Sequence, residues 1–148
     1  MQQAIKCANR AAEIEEVPVG AVVVLDDKII GQGWNQPIST HNPTAHAEIM
    51  ALQQAAHSQK NYRLLDSTLY VTLEPCCMCV GAIIHARVQR LVFGAYDKKT
   101  GAVESQLGLL SESFHNHKVK ALGGVLQAQC AEILTNFFSH LRSMRKGS

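Results

Sequence analysis

Two short segments contain residues whose types and spacing suit a metal-dependent hydrolytic site. His46 and Glu48 form an H-x-E pair, and Pro75, Cys76 and Cys79 later form P-C-x-x-C. Cys76 and Cys79 stand at positions i and i+3, which makes them neighbours on one helix face, with Cβ atoms about 5–6 Å apart. Two thiolates and one imidazole are three ligands that suit Zn²⁺ and leave a fourth position for water. The pattern therefore predicts a zinc site with Glu48 beside it as the general acid/base.

Each motif also has a plainer interpretation. A single C-x-x-C is more often a redox or structural motif, and an isolated H-x-E occurs by chance in many helices. A closed structural zinc site would take its fourth ligand from His41, His85 or Cys7. The two motifs together favour catalysis, because H-x-E followed by P-C-x-x-C is the signature of zinc-dependent nucleobase deaminases.

Both motifs are predicted to lie at helix starts. A helix over Ala45–His57 would bury one face, made of Ala45, Ile49, Leu52 and Ala56. The next helix is predicted over Cys76–His85, where the helix dipole at the N-terminus favours thiolate over thiol. Cys77 points away from the proposed ligand pair, so we expect it to be a small buried residue, as are Cys7 and Cys130.

The remaining pattern predicts a three-layer α/β/α domain with a central mixed sheet of about five strands. No repeat or flexible linker divides the chain, so residues 1–148 are expected to form a single domain. The first part of the chain is predicted to form an opening helix within Gln2–Glu16, a hairpin of Val19–Leu25 and Lys28–Gly33, and a loop over Trp34–Thr44. The later strands are predicted at Leu69–Leu73, Arg90–Gly94 and Val119–Leu126, with irregular chain over 95–118. A closing helix is predicted over Ile133–Met144, with Leu134, Phe137, Phe138 and Leu141 on one face.

Composition narrows the class of protein. Of the 148 residues, 47% are hydrophobic and only 18% are charged, which excludes intrinsic disorder. No apolar run approaches the ~20 residues of a membrane span, so a cytoplasmic protein is expected. The five cysteines, three of them clustered, make a poor disulfide framework. Residues 1–75 hold five Lys/Arg against eight Asp/Glu, and residues 76–148 hold nine against four. The basic second half could attract phosphate, although solvated surface lysines are an equally good explanation.

Over nearly its whole length the sequence resembles the bacterial tRNA-specific adenosine deaminases of the TadA type, within the cytidine deaminase-like superfamily. The zinc motif is common to that superfamily, whereas Trp34-Asn35 and Asn116-His117 favour its tRNA-acting branch. The segments that carry the resemblance are Gly33–Asn35, Asn42–Glu48, Thr72–Cys79 and Phe93–Gly101.

The resemblance implies a cytidine deaminase-like fold, a homodimer, one Zn²⁺ per subunit and no nucleotide cofactor. It implies that adenosine at the wobble position of a tRNA anticodon, chiefly of an arginine tRNA, is hydrolysed to inosine by zinc-bound hydroxide that attacks adenine C6. The implied residues are His46, Cys76 and Cys79 as zinc ligands, Glu48 as proton shuttle, Asn35 and the backbone amide of Ala47 at the base, Asp97 near the ribose, and Phe138 near the flanking nucleotides.

Two other functions remain open from the sequence. A deaminase of a free base or nucleoside, such as cytosine, cytidine or guanine, would share all four zinc-site residues. A catalytically silent zinc module that only binds RNA or a partner would have no use for Glu48. The presence of that acid argues against the second alternative.

Overall fold

The computed structural model describes residues 1–147, in which helices alternate with the strands of one sheet. The helices are α1 (Gln2–Glu13), α2 (Pro37–Thr40), α3 (Ala47–Gln59), α4 (Cys77–His85) and α5 (Gln127–Lys146), with a single 3₁₀ turn at Leu109–Ser111. The strands are β1 (Gly20–Leu25), β2 (Lys28–Trp34), β3 (Thr68–Leu73), β4 (Arg90–Ala95) and β5 (Lys120–Leu122). None of the helices in this part of the chain is long and apolar enough to cross a membrane.

The sheet has five strands in the order β2-β1-β3-β4-β5, which confirms the predicted mixed sheet. The hairpin β1–β2 and the pair β1–β3 are antiparallel, while β3–β4 and β4–β5 are parallel. Asp26 and Asp27 close the hairpin with φ of 51° and 62°, the left-handed conformation that suits the twist of a two-residue hairpin turn.

Helices cover both faces of the sheet, as the predicted three-layer arrangement requires. Because successive strand residues face opposite sides, Ala21 and Val23 of β1 join the core beneath α3 and α4, whereas Val22 packs with α1. On the α1 side, α5 adds Cys130, which packs with Ile5. Helices α3 and α4 therefore share one face, opposite α1 and α5.

The buried face of α3 is only partly the predicted one, since Ala45 and Leu52 are buried as expected and the other two predicted residues are not. Ala47, Ala51 and Ala55 are completely buried, whereas Ile49 and Ala56, expected in the core, are only half-buried. Gly33 of β2 explains the difference, because a methyl group there would lie 2.5 Å from the carbonyl oxygen of Ala47. Glycine in the strand and alanine in the helix allow a close approach that larger side chains would prevent. Ile49 and Leu52 line instead the groove that α3 forms with α4.

Sequence reasoning missed helix α2, which interrupts the loop predicted over Trp34–Thr44. Pro37 occupies the first helical turn, where its missing N–H costs nothing. The buried carboxylate of Glu16 accepts the backbone N–H groups of Ile38 (3.2 Å) and Ser39 (2.7 Å). The helix thus depends on a residue outside its own segment, which a local pattern does not reveal.

The last two elements have different lengths from those predicted. The final strand is only Lys120–Leu122, since Gly123 and Gly124, the latter with φ of 85°, end it. Helix α5 begins at Gln127, six residues before the predicted start at Ile133. Three of those six residues are polar, and they do not continue the apolar spacing on which the prediction rested.

Candidate active site

The two chemical motifs meet because two helix N-termini point into the same space. His46 is the N-cap of α3 and Cys76 the N-cap of α4, and both have extended backbones that direct the chain into a helix. Cys76 follows the carboxyl end of β3, where ligands commonly bind in sheets with parallel strands. The amide dipoles of both helices favour negative charge at this point.

His46, Cys76 and Cys79 form a group that could hold a metal ion. Their ligand atoms lie within 4.8 Å of one another. His46 Nδ1 is 3.6 Å from Cys76 Sγ and 3.5 Å from Cys79 Sγ. Tetrahedral zinc with Zn–S of about 2.3 Å and Zn–N of about 2.0–2.1 Å places sulfur and nitrogen ligands about 3.6 Å apart. The donor atoms present therefore fit zinc in both chemistry and spacing.

No fourth protein ligand completes this group within residues 1–147. His41, His85 and Cys7 were the alternatives for a closed structural site, and none of them joins the three ligand atoms. Cys7 lies with α1 on the other face of the sheet, where its sulfur is 3.8 Å from Gln32 Oε1. A three-ligand group keeps one position open, as catalytic zinc sites do.

Glu48 lies in the first turn of α3, directly beside the sulfur ligands. Its side chain is 4% exposed, and burial raises the pKa of its carboxyl from 4.5 to about 7. A hydrogen bond from its own backbone N–H, the positive charge on His46 and a hydrogen bond with Cys79 limit that rise. A carboxyl with a pKa near neutrality can both accept and donate a proton, which is what a general acid/base requires.

The two cysteines are electrostatically distinct. Hydrogen bonds from Cys79 and His46 lower the pKa of Cys76 to about 4, so Cys76 is a thiolate at neutral pH. The hydrogen bond to Cys76, together with burial, raises the pKa of Cys79, which is the proton donor of the pair. Hydrogen bonding to Cys76 also raises the pKa of His46. These hydrogen bonds thus favour the thiolate of Cys76, which is the form in which a cysteine binds zinc.

Asn35 and Ala47, the two groups expected at the base, contact each other. The backbone N–H of Ala47 donates to Asn35 Oδ1 at 2.9 Å. This bond joins the end of β2 to the first turn of α3, and it leaves the side-chain NH₂ group of Asn35 as a donor for a ligand. The structure therefore brings both residues to the metal-ligand group, because Ala47 lies between His46 and Glu48.

Asp97 begins a compact loop that follows β4. Its carboxylate accepts the backbone N–H groups of Lys99 and Thr100, each at 3.1 Å, and the Thr100 hydroxyl at 2.8 Å. The loop packs against the start of α4, since the N–H of Ala102 donates to the carbonyl of Pro75 at 2.9 Å. Asp97 thus has a structural task in a loop that packs against the start of α4.

Phe138 lies on the exposed side of the last helix. It is 42% exposed on α5, which packs on β3, β4 and α1 and makes no contact with α3 or α4 over the described residues. Of the two adjacent aromatic residues, Phe137 is the half-buried one.

The prediction for Cys77 was wrong. Cys7 and Cys130 are buried as expected, but Cys77 is exposed. Its position one residue after the N-cap turns its side chain outward from the first turn of α4.

Sequence reasoning also missed Glu74. This acid directly follows β3, is 2% exposed, and accepts hydrogen bonds from the loop of residues 97–105. An acid between a buried strand and a proline was the only signal in the sequence.

Comparisons with known proteins agree with this site. The family model of the MafB19-like deaminases matches residues 1–142. The tRNA-specific adenosine deaminase of Haemophilus influenzae is 50% identical over 147 residues, which are 99% of this chain and 85% of that protein. The tRNA-specific adenosine deaminase of Bacillus subtilis is 41% identical over 148 residues, 100% of this chain and 92% of that protein.

A solved structure from a study of A-to-I editing by tRNA:A34 deaminases at the wobble position of transfer RNA superposes with a TM-score of 0.88. It is 42% identical, and the match covers 90% of this chain and 97% of that one. The shared fold is the cytidine deaminase-like α/β fold that the sequence predicted. With its metal-ligand group, its buried acid and these near full-length matches, the chain belongs to the tRNA-specific adenosine deaminases, within the MafB19-like deaminase family.

Proposed function

We propose that this protein hydrolyses adenosine to inosine at the wobble position of a tRNA anticodon, chiefly that of an arginine tRNA, with one zinc ion per subunit. The observation that carries the proposal is the buried Glu48 carboxyl beside three donors that fit zinc. A purely structural metal site has no use for such an acid. The near full-length similarity to tRNA-specific adenosine deaminases supports the choice of substrate.

His46, Cys76 and Cys79 would hold the zinc. Zinc, when bound, lowers the pKa of a water molecule and so supplies a nucleophile at neutral pH. Glu48 accepts a proton from the attacking water and delivers it to N1 of adenine. The same carboxylate then takes the proton of the hydroxyl group added at C6 and passes it to the amino group, which leaves C6 as ammonia. Water and adenosine are thereby converted to ammonia and inosine, with no net change at Glu48.

Asn35 orients the base in this proposal. Because its Oδ1 atom is held by the N–H of Ala47, its NH₂ group is fixed as a donor to a ring nitrogen of adenine. The Ala47 N–H group contributes to base binding indirectly, because its hydrogen bond fixes the orientation of the Asn35 amide. An unpaired loop nucleotide leaves its stack at low cost, so an anticodon loop suits a site that must enclose a single base.

The rest of the RNA would follow the surface beyond the site. Asp97 lies at the root of a loop that presents the exposed Lys98 and Lys99, which suit phosphate. Phe138 is exposed and could stack on a flanking nucleotide. Such a contact would involve nucleotides that flank the reacting base.

We also propose that the protein is a cytoplasmic homodimer. Between α3 and α4, mostly toward their C-terminal ends, lies a groove of about 260 Å³ with mostly apolar lining, including Ile49, Leu52 and Tyr62. Exposed apolar grooves commonly mark protein interfaces. Sedimentation should give twice the 16.2 kDa of one chain, and a monomer at micromolar concentration would contradict this part of the proposal. A reducing cytoplasm would keep the clustered cysteines available as ligands.

The substrate is tested with zinc-loaded protein and a panel of compounds. An anticodon stem-loop with adenosine at the wobble position should be deaminated, while the same loop with adenosine moved by one nucleotide, free adenosine and free cytidine should react far more slowly. Rapid turnover of a free nucleoside with no reaction of the stem-loop would instead establish the alternative of a small-molecule deaminase.

A further inference from the structure

Glu74 is a buried carboxylate whose hydrogen-bond partners all belong to one loop. Burial of a charge is costly unless hydrogen bonds replace its hydration. Glu74 Oε1 accepts the N–H of Asp97 at 3.1 Å and also the hydroxyl of Ser105. Glu74 Oε2 accepts the N–H groups of Val103 (3.1 Å), Glu104 (2.8 Å) and Ser105 (2.9 Å).

These bonds fix both ends of the loop of residues 97–105. Oε1 binds the first residue of the loop and the hydroxyl of the last, and Oε2 binds the backbone N–H groups of the last three. Between them the chain wraps closely around the carboxylate, because a methyl group on Gly101 would collide with the Glu74 side chain. Charge-assisted hydrogen bonds of this kind are roughly twice as strong as neutral ones. Only an acceptor with several lone pairs on two oxygens can bind so many donors at once.

The same acid is covalently joined to the metal-ligand group. Glu74 precedes Cys76 by two residues, and its own N–H donates to the carbonyl of Ala95 at 2.9 Å, which attaches it to β4. The carbonyl of Pro75 accepts the N–H of Ala102, so the segment between Glu74 and Cys76 also contacts the loop. The loop is therefore held against the start of α4, while Lys98 and Lys99 at its tip stay exposed.

We propose that Glu74 is a positioning residue that fixes the loop of residues 97–105, with Lys98 and Lys99, against the metal-binding end of α4 and thereby sets the affinity for the RNA substrate. The inference rests on the proposed function. Without the carboxylate, the loop would sample other conformations, and each binding event would first have to order it. The metal ligands do not bond to Glu74, so chemistry after binding should continue.

The test replaces Glu74 by glutamine, which keeps the size of the side chain but retains only one acceptor oxygen. With zinc-loaded protein and the wobble-adenosine stem-loop, Glu74→Gln should raise KM roughly tenfold and change kcat by less than about threefold. A tenfold rise in KM corresponds to the loss of about one charge-assisted hydrogen bond that orders the loop. Glu112→Gln makes the same chemical change at an exposed residue and should leave both constants unchanged.

Amide hydrogen exchange provides a readout that does not depend on activity. In Glu74→Gln the amides of Asp97, Val103, Glu104 and Ser105 should exchange at least about tenfold faster, while those of β3 and α4 stay protected. Faster exchange in the loop with an unchanged KM would overturn the proposal, as would a fall in kcat at constant KM. If Glu74→Gln does not fold, the Ser105→Ala variant provides the test. It removes a single hydroxyl donor to Glu74 and should raise KM about threefold. An unchanged KM in this variant would contradict the proposal.

Failure of this inference can be told from failure of the proposed function. Absence of stem-loop deamination by the wild-type protein would disprove the function, whatever the variants do. Normal wild-type activity with no effect of either loop variant would disprove only the role of Glu74.

Discussion

The contact between Gly33 and the first turn of α3 offers a sharp test of how the fold positions the site. A methyl group at Gly33 would lie 2.5 Å from the carbonyl oxygen of Ala47, 2.6 Å from the backbone nitrogen of Ala51 and 2.7 Å from Cβ of Met50. Ordinary contact begins near 3.4 Å, so the Gly33→Ala change would push α3 away from the sheet by roughly 0.9 Å at its nearest atom. Gly33 has no positive φ, so the new side chain adds a steric clash without backbone strain.

The displaced turn carries the catalytic groups. A shift of about 1 Å in a catalytic residue costs about a hundredfold in rate, and overpacking costs about 1–3 kcal/mol of stability. We expect Gly33→Ala to lower kcat/KM for the stem-loop roughly a hundredfold, with a stability loss within that range. Gly108→Ala is the matched control, because a methyl group there meets nothing closer than 3.9 Å.

Steady-state deamination kinetics and denaturant unfolding measure these two effects on zinc-loaded protein of known metal content. The reasoning would be refuted by a Gly33→Ala enzyme whose kcat/KM stays within about threefold of the wild type, since the close β2–α3 contact would then not determine the position of Glu48.

Three other predictions concern metal, pH and salt. Elemental analysis should find no bound zinc in Cys79→Ala and the wild-type amount in Cys77→Ala. Equal zinc content in the two variants would show that Cys79 is not a ligand. The pKa of Glu48 in the folded metal-free protein is about 7, above its reference value of 4.5, so the stability it contributes is fully present below pH 4.5 and is lost as pH rises through 7. Metal-free wild type should therefore lose roughly 3 kcal/mol relative to Glu48→Gln over that interval in urea unfolding, and a constant difference between the two proteins would contradict the burial argument. Stem-loop affinity should fall with salt, and Lys98→Ala or Lys99→Ala should each reduce the log–log slope by about 0.7; identical slopes would place the phosphates elsewhere.

The parts of the fold that could be predicted from the sequence are those encoded in local patterns. The β-branched run of β1, the acidic hairpin turn and the C-x-x-C at a helix start each have a short-range physical cause, and each lies near the predicted place. Helix α2 could not be predicted, because its N–H groups are bound by Glu16 from a distant segment. The orientation of α3 was mispredicted because the glycines of β2, rather than the helix's own apolar spacing, decide which face is buried.

The same distinction applies to the site. The spacing of His46, Cys76 and Cys79 in the sequence was sufficient to propose them as one group, and the fold brings them together. Glu74 could not be identified, because its role depends on a loop more than twenty residues later in the chain. Cys77 is exposed because of its position in the first turn of α4, which the number and clustering of the cysteines do not reveal.

The central claim is that Glu48 and a zinc ion held by this group convert a wobble adenosine to inosine with an oxygen from water. The most direct measurement is mass spectrometry of the stem-loop after reaction with zinc-loaded protein in heavy-oxygen water. The account predicts inosine at the wobble position alone, carrying one solvent oxygen, with one equivalent of ammonia released and no product from Glu48→Ala that still binds zinc. Unchanged adenosine with the wild-type protein, or inosine formed equally well by Glu48→Ala, would contradict it.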